Sequence, residues 1–405
     1  MTYQPTSNQS AWHMATKRKS KTRSSKATKQ SGRSVIGAVI VLLLVGYFLL
    51  TGNDPLGLFD TVDPGPPPET GGSSDWWEVY FTNPQADPNV DNLTGTVAEK
   101  LIENINAAQS TIHIASFEFD LPQVADALIA AQERGVTVRW VTDDEHGIEA
   151  DEDDGLELFP KLEDAGIRVK DDGREALMHN KFWIFDRQWV WTGSTNITEN
   201  GVFRNNNNVI LMKSPRVAEM YEREFAEMWD DDAFGATSPS DVAKQQTTVN
   251  GTPVLVLFGP EDDVAEKLTT LLDAAQQSIR FMAFSFTHDD MGDAILRRAK
   301  VNVDVKGIFE ARGSETEFSE LPKLFCAGLQ VRQDGNPRIL HHKTIIIDEQ
   351  IVVTGSFNFS NNADRSNDEN LVIMTSADLA THYLQEFDRR WAEASAPEKA
   401  EMGCR

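Results

Sequence analysis

Apolar and polar positions along this chain switch between a helical and a strand period, and the same series of switches occurs twice. Val264, Leu268, Leu271, Leu272 and Ala275 fall at helical spacing and make one apolar face. Thr111-Ile-His-Ile-Ala-Ser-Phe117 and Ser278-Ile-Arg-Phe-Met-Ala-Phe284 align with one another and read as strands. A helix around Val124–Arg134 or Met291–Lys300 follows, then a strand at Val136–Thr142 or Val301–Phe309. Each copy continues into two short strands, Phe182–Phe185 with Gln188–Thr192 and Thr344–Ile347 with Ile351–Thr354. A helix closes each copy, Arg216–Trp229 or Asp378–Trp391. Apolar strands alternating with helices predict an α/β sheet covered on its faces. Trp183, Trp189 and Trp191 alternate on the paired strands and are read as core, as are Trp76 and Trp77 beneath the first strand.

Flanking segments divide the chain. Residues 1–34 hold eight Lys or Arg and no acid, which predicts a basic disordered arm. Val35–Leu50 is uninterrupted apolar or glycine; residues 35–52 are therefore read as a single transmembrane anchor. The Pro/Gly/Ser-rich residues 53–74 read as a tether. Two halves, 75–233 and 253–395, are joined by a polar linker at 234–252. The one-sided positive charge predicts a cytoplasmic N-terminus and a catalytic body outside the cytoplasm.

Within the two halves a second signature repeats. His179-Asn-Lys181, Asp186 and Gly193-Ser194-Thr-Asn196 recur with identical spacing as His341-His-Lys343, Asp348 and Gly355-Ser356-Phe-Asn358, in segments 173–200 and 335–362. Side chains at i and i+2 of a strand share a face, so each histidine projects with its lysine. Each copy thus offers one imidazole, one ammonium and one amide. Two such clusters facing one another suit a phosphodiester. One imidazole attacks phosphorus and holds a covalent phosphohistidine. The other protonates the leaving oxygen and then deprotonates water. Lysines and amides neutralise the phosphoryl oxygens, so no metal or cofactor is called for.

These paired H-x-K-x4-D-x6-G-S-x-N motifs resemble the phospholipase D superfamily over roughly Trp76–Trp391. The resemblance implies two similar α/β halves, each a mixed β-sheet flanked by helices, with one active site at their interface. It assigns His179 and His341 to the catalytic positions and Lys181, Asn196, Lys343 and Asn358 to phosphate binding. Asp186, Asp348, Ser194 and Ser356 are read as structural members of the motif. The halves differ eleven residues beyond the motif asparagine, where the second has Glu369 and the first Asn207. A carboxylate on an imidazole favours its protonated form. Glu369 is accordingly expected to orient His341 as the general acid and base, leaving His179 neutral as the nucleophile.

Charge bears on the substrate. The chain carries −25, its first 50 residues +8, and the remainder −33. Nucleic-acid binders present basic surfaces, so the acidic body favours a phospholipid substrate at a membrane, hydrolysed to phosphatidic acid. A membrane-anchored nuclease of the same superfamily is the alternative, and a cardiolipin synthase-like phosphatidyl transferase a further one. The acidic run Asp143–Asp154 follows a strand, near where active-site rims lie, and is read as a solvated loop. Cys326 and Cys404 form no metal pattern, and whether they pair is left open.

Overall fold

Among the described residues sixteen strands fall into two eight-stranded sheets of the same design. The structure, a computed structural model, describes residues 71–404. In the first half β1 (Gly71–Ser73), β2 (Trp77–Phe81), β3 (Thr111–Ser116), β4 (Thr137–Thr142), β5 (Arg168–Asp171), β6 (Lys181–Phe185), β7 (Trp189–Gly193) and β8 (Asn208–Lys213) lie in the order β1-β2-β8-β7-β6-β3-β4-β5. In the second, β9 (Gln246–Val249), β10 (Thr252–Gly259), β11 (Ser278–Ala283), β12 (Asp304–Phe309), β13 (Gln330–Gln333), β14 (Lys343–Ile347), β15 (Ile351–Gly355) and β16 (Glu369–Thr375) lie in the order β13-β12-β11-β14-β15-β16-β10-β9, the same arrangement read from the other edge. β3, β4 and β5 run parallel, as do β11, β12 and β13. The motif hairpins pair antiparallel beside them, so each sheet is mixed.

Helices cover the sheets in layers. The outer face of the first half carries α1 (Val97–Ala107), α2 (Pro122–Glu133) and α4 (Leu158–Asp164), the last preceded by the short α3 (Ala150–Asp154). The second half answers with α6 (Val264–Asp273), α7 (Asp289–Lys300) and α8 (Glu320–Cys326). Between the sheets run the closing helices, α5 (Pro215–Asp231) and α9 (Ala377–Glu393), each capped by a serine, Ser214 or Ser376. Their apolar faces share one core with Trp77, Phe182 and Ile184 of the first sheet and Phe258, Ile346 and Val372 of the second. Tyr221 of α5 meets Phe182 at 5.0 Å and Phe258 at 5.4 Å between ring centres, bridging the halves. Trp183 and Trp191 are buried as expected, with Trp76 and Trp77, while Trp189 at the start of β7 is only half-buried.

Some expectations change. The polar stretch 234–252 is not a bare linker, because Gln246–Val249 pairs along β10 as an edge strand. Backbone pairing at an edge needs no apolar side chains, so polarity concealed it. Gly71–Ser73, read as tether, pairs with β2 for the same reason. Cys326 and Cys404 form a disulfide, with Cα atoms 5.3 Å apart. The basic arm, the apolar span 35–52 and the first part of the tether lie outside the described residues. Among the described residues no helix is long and apolar enough to cross a membrane.

Candidate active site

The motif hairpins turn through three-residue loops, 186–188 and 348–350, whose first two residues, Asp186-Arg187 and Asp348-Glu349, have positive φ. Asp186 accepts from the backbone N–H of Gln109, Ser110 and Thr111, and Asp348 from Gln276, Gln277 and Ser278. Burial pushes these carboxyls up, but the N–H donors outweigh it and hold both below the usual range. Both aspartates therefore fix the hairpin to its neighbouring strand.

At the other end of each hairpin stands the glycine of Gly-Ser. A Cβ on Gly193 would lie 2.2 Å from the Asn208 carbonyl oxygen, and one on Gly355 2.2 Å from that of Asn370. The glycines thus admit the next strand's backbone rather than a ligand. Ser194 and Ser356 then donate their hydroxyls across this junction, Ser194 to Asn207 Oδ1 at 2.8 Å and Ser356 to Glu369 Oε2 at 2.5 Å.

Glu369 and Asn207 do not serve the histidine of their own half. His179 Nδ1 lies 2.8 Å from Glu369 Oε2, and His341 Nδ1 lies 2.9 Å from Asn207 Oδ1. The expected Glu369–His341 contact is corrected to Glu369–His179. Its cause is a backbone exchange: His179 N–H donates to the Asp368 carbonyl, Asp368 N–H to that of Leu177, and His341 N–H to that of Asn206. The residues entering β8 and β16 are paired with the segment before the other half's histidine, and their side chains follow. Asn207 Nδ2 donates to the Gly201 carbonyl, so its Oδ1 is turned toward His341.

Each lysine donates to the carbonyl of its own histidine, Lys181 to His179 and Lys343 to His341, both at 3.0 Å. Phe117 packs edge-on against His179 and under Lys181, and Phe284 does the same for His341 and Lys343. Asn196 donates to Glu118 at 2.6 Å, and the side-chain oxygens of Asn196 and Asn358 are buried without a partner. His179, His341, Asn196 and Asn358 line one cleft of about 590 Å³ between the halves.

Comparison with known proteins fits this arrangement. The family described as "Cardiolipin synthase, PLD-like domain" matches residues 101–229 and 268–391, once per half. The chain belongs to the phospholipase D superfamily. It is 34% identical over 139 residues to a phospholipase D of Rickettsia bellii, covering 34% of this chain and 69% of that one. It is 32% identical over 120 residues to a mitochondrial cardiolipin hydrolase of Chlamydomonas reinhardtii, covering 30% of this chain and about half, 54%, of the relative. The crystal structure of phosphatidylserine synthase from Haemophilus influenzae Rd KW20 superposes with a TM-score of 0.57 at 16% identity, covering 78% of this chain and 89% of that one. That last likeness is one of fold.

Electrostatics in this phospholipase D-like centre follow from burial. Burial, then the charges of Lys181 and Lys343, holds the His179 imidazole well below the usual histidine range; burial, then Lys343 and Lys181, does so for His341. Burial pulls Lys181 down to about 8 against the opposing field of Glu369, and lowers Lys343 well below its ordinary value. Burial pushes Glu369 up to about 8, opposed by Lys181 and the Ser356 hydroxyl. An anion entering the cleft restores charge to the lysines, because it supplies the partner that burial removed.

Behind the histidines lies a polar seam that sequence reasoning missed. Asn370 Oδ1 accepts from Lys181 N–H at 3.0 Å and its Nδ2 donates to Thr192. Asn208 reaches Thr354, Tyr383 and His342 in the mirrored direction. The signal was present: both asparagines stand twelve residues past the motif asparagine. The acidic run after β4, read from the sequence as a solvated loop, forms part of the rim, with Asp151 and Asp154 lining the cleft. Carboxylate oxygens of Asp143, Asp144 and Asp172 all lie within 4.8 Å of one another. Two of the three are already engaged: Asp143 accepts from the His146 and Met178 N–H groups, and Asp172 from Arg174.

Proposed function

We propose that the protein is a phosphodiesterase that hydrolyses phospholipid head groups to phosphatidic acid through a phosphohistidine. The observation that carries the reading is reciprocal: each half grips the Nδ1 of the other's histidine, so both rings present Nε2 to one cleft. The names of the relatives, phospholipase D and cardiolipin hydrolase, support a lipid phosphodiester as substrate.

His179 is the nucleophile in this reading, for a reason different from the one the sequence offered. Bond formation between Nε2 and phosphorus turns the ring into a cation, and that charge draws the Glu369 carboxyl behind Nδ1 down from about 8 into the carboxylate that stabilises it. His341 has only an amide behind it, so its imidazolium is the stronger acid and the readier donor. Attack forms the Nε2–P bond and breaks the bond from phosphorus to the leaving oxygen, which takes the His341 proton. Water then gives a proton to His341, its oxygen bonds phosphorus, and the Nε2–P bond breaks. Lys181 and Lys343 balance the phosphoryl charge, with Asn196 and Asn358 beside them. No metal enters these steps.

For topology, the +8 arm and apolar span support an anchored protein with its body outside the cytoplasm. The Cys326–Cys404 disulfide suits such an oxidising compartment.

The test gives full-length protein in detergent phospholipid vesicles and single-stranded DNA in parallel. Release of phosphatidic acid with DNA intact is expected. Degraded DNA with vesicles of several head groups untouched would replace this reading with the nuclease alternative.

A further inference from the structure

The cleft joins two halves built alike, yet its two walls carry opposite charge. On the His179 side, Glu118 and Asp120 follow β3 and line the cleft with Asp154. The positions following β11 that correspond to the first two hold Ser285 and Thr287. On the His341 side, Arg312 and Arg338 line the same cleft. Arg338 stands three residues before His341, where the first half has Ala176 before His179. Arg312 lies in the loop after β12; the corresponding segment after β4, residues 143–157, holds no Lys or Arg.

Both arginines are exposed, and Arg312 Nη2 donates to the Pro337 carbonyl at 2.9 Å, which ties the two segments together. Arg174, on the approach to His179, is instead consumed in ion pairs with Asp172 and Asp368. The polarity therefore puts available guanidinium groups on one wall only, the wall that holds the general acid.

Direction of attack gives this wall its meaning. With His179 as nucleophile, a premise taken from the function proposed above, the leaving oxygen departs toward His341. We propose that Arg312 and Arg338 form an anion subsite for a second phosphate carried by the leaving group. Guanidinium forks bind phosphate through charge-assisted, often bidentate hydrogen bonds. The fitting substrate is a lipid with two phosphodiesters joined through a short polyol. Its retained side is an uncharged diacylglycerol ester, which the carboxylates of the opposite wall tolerate. A nucleic-acid strand fits less well, since it carries phosphate on both flanks and would set one against Glu118 and Asp120.

The experiment compares kcat/KM for cardiolipin and for phosphatidylglycerol, each in mixed micelles of nonionic detergent, with a single-stranded DNA arm alongside. Wild type is expected to favour the two-phosphate lipid. The Arg312→Gln/Arg338→Gln double variant should cut the cardiolipin-to-phosphatidylglycerol ratio about tenfold, chiefly through KM, the scale of one lost charged hydrogen bond. Lysine at both positions should restore part of it. Because the readout is a ratio within one preparation, a general loss of folded protein does not move it. Equal use of both lipids by wild type, or an unchanged ratio in the double variant, overturns the subsite and leaves the lipase reading standing. Cleavage of DNA with neither lipid cut overturns both.

Discussion

Glu369 reaches across the molecule to His179, its Oε2 2.8 Å from the ring Nδ1, while the Ser356 hydroxyl of its own half holds the same oxygen at 2.5 Å. The site is therefore composite at the level of single side chains. Glu369→Gln keeps the shape but removes the charge that supports an imidazolium at His179. The rate of phosphoenzyme formation should fall by about tenfold for each pKa unit of basicity lost. Single-turnover kinetics with an activated leaving group measures this step. An equal slowing of the hydrolytic step alone would assign Glu369 to His341 after all.

The pH profile follows from the direction of the histidine shifts. Burial and the lysines lower the His341 ring, so the protonated acid is lost before 6.5 is reached. The alkaline limb of kcat/KM should therefore fall on the acid side of 6.5. Asn207→Asp puts a carboxylate behind His341 and raises its pKa, which moves the alkaline limb upward. A limb that stays in place would detach Asn207 from the acid.

Lys343 has its ammonium over Phe284, 4.6 Å from the ring centre, and bonded to the His341 carbonyl. Lys343→Met should lower kcat by about a hundredfold, the scale for one preorganised electrostatic group. Chelation with EDTA should leave wild-type rates intact. Activity lost to the chelator and regained with a divalent ion would contradict the account of charge neutralisation.

Stability has its own test in the second half. Glu386 of α9 is buried among His342, Arg389 and Arg390. Burial pushes its carboxyl up, but these partners prevail and hold it at about 2. A carboxylate depressed on folding contributes stability above its unfolded pKa and loses it as pH falls through the folded one. The Tm difference between wild type and Glu386→Gln should therefore be full above 4.5 and shrink from there toward 2. At neutral pH the variant should lose about 3–5 kcal/mol, as when one partner of a buried ionic group is removed. A difference independent of pH would mean that shape, not charge, matters there.

Much of this was legible in the chain because duplication doubles every signal. His179 and His341 are two copies of one constellation, and the strand period around them needed no tertiary information. What the chain hid was exchange between the halves. Glu369 is nearer in sequence to His341 than to His179, and only the pairing of Asp368 with the backbone around Met178 and His179 sends its side chain the other way. Edge strands β1 and β9 were hidden differently, since their stability comes from backbone pairing and leaves no apolar period to read.

The most direct measurement is the site of covalent modification. Full-length protein is mixed with a phosphodiester bearing an activated leaving group, quenched at alkaline pH, digested and mapped by mass spectrometry. The account predicts a phosphoryl adduct on His179, absent from His179→Asn and accumulating in His341→Asn, where no base remains to activate water. An adduct on His341 that survives the loss of His179 would contradict it.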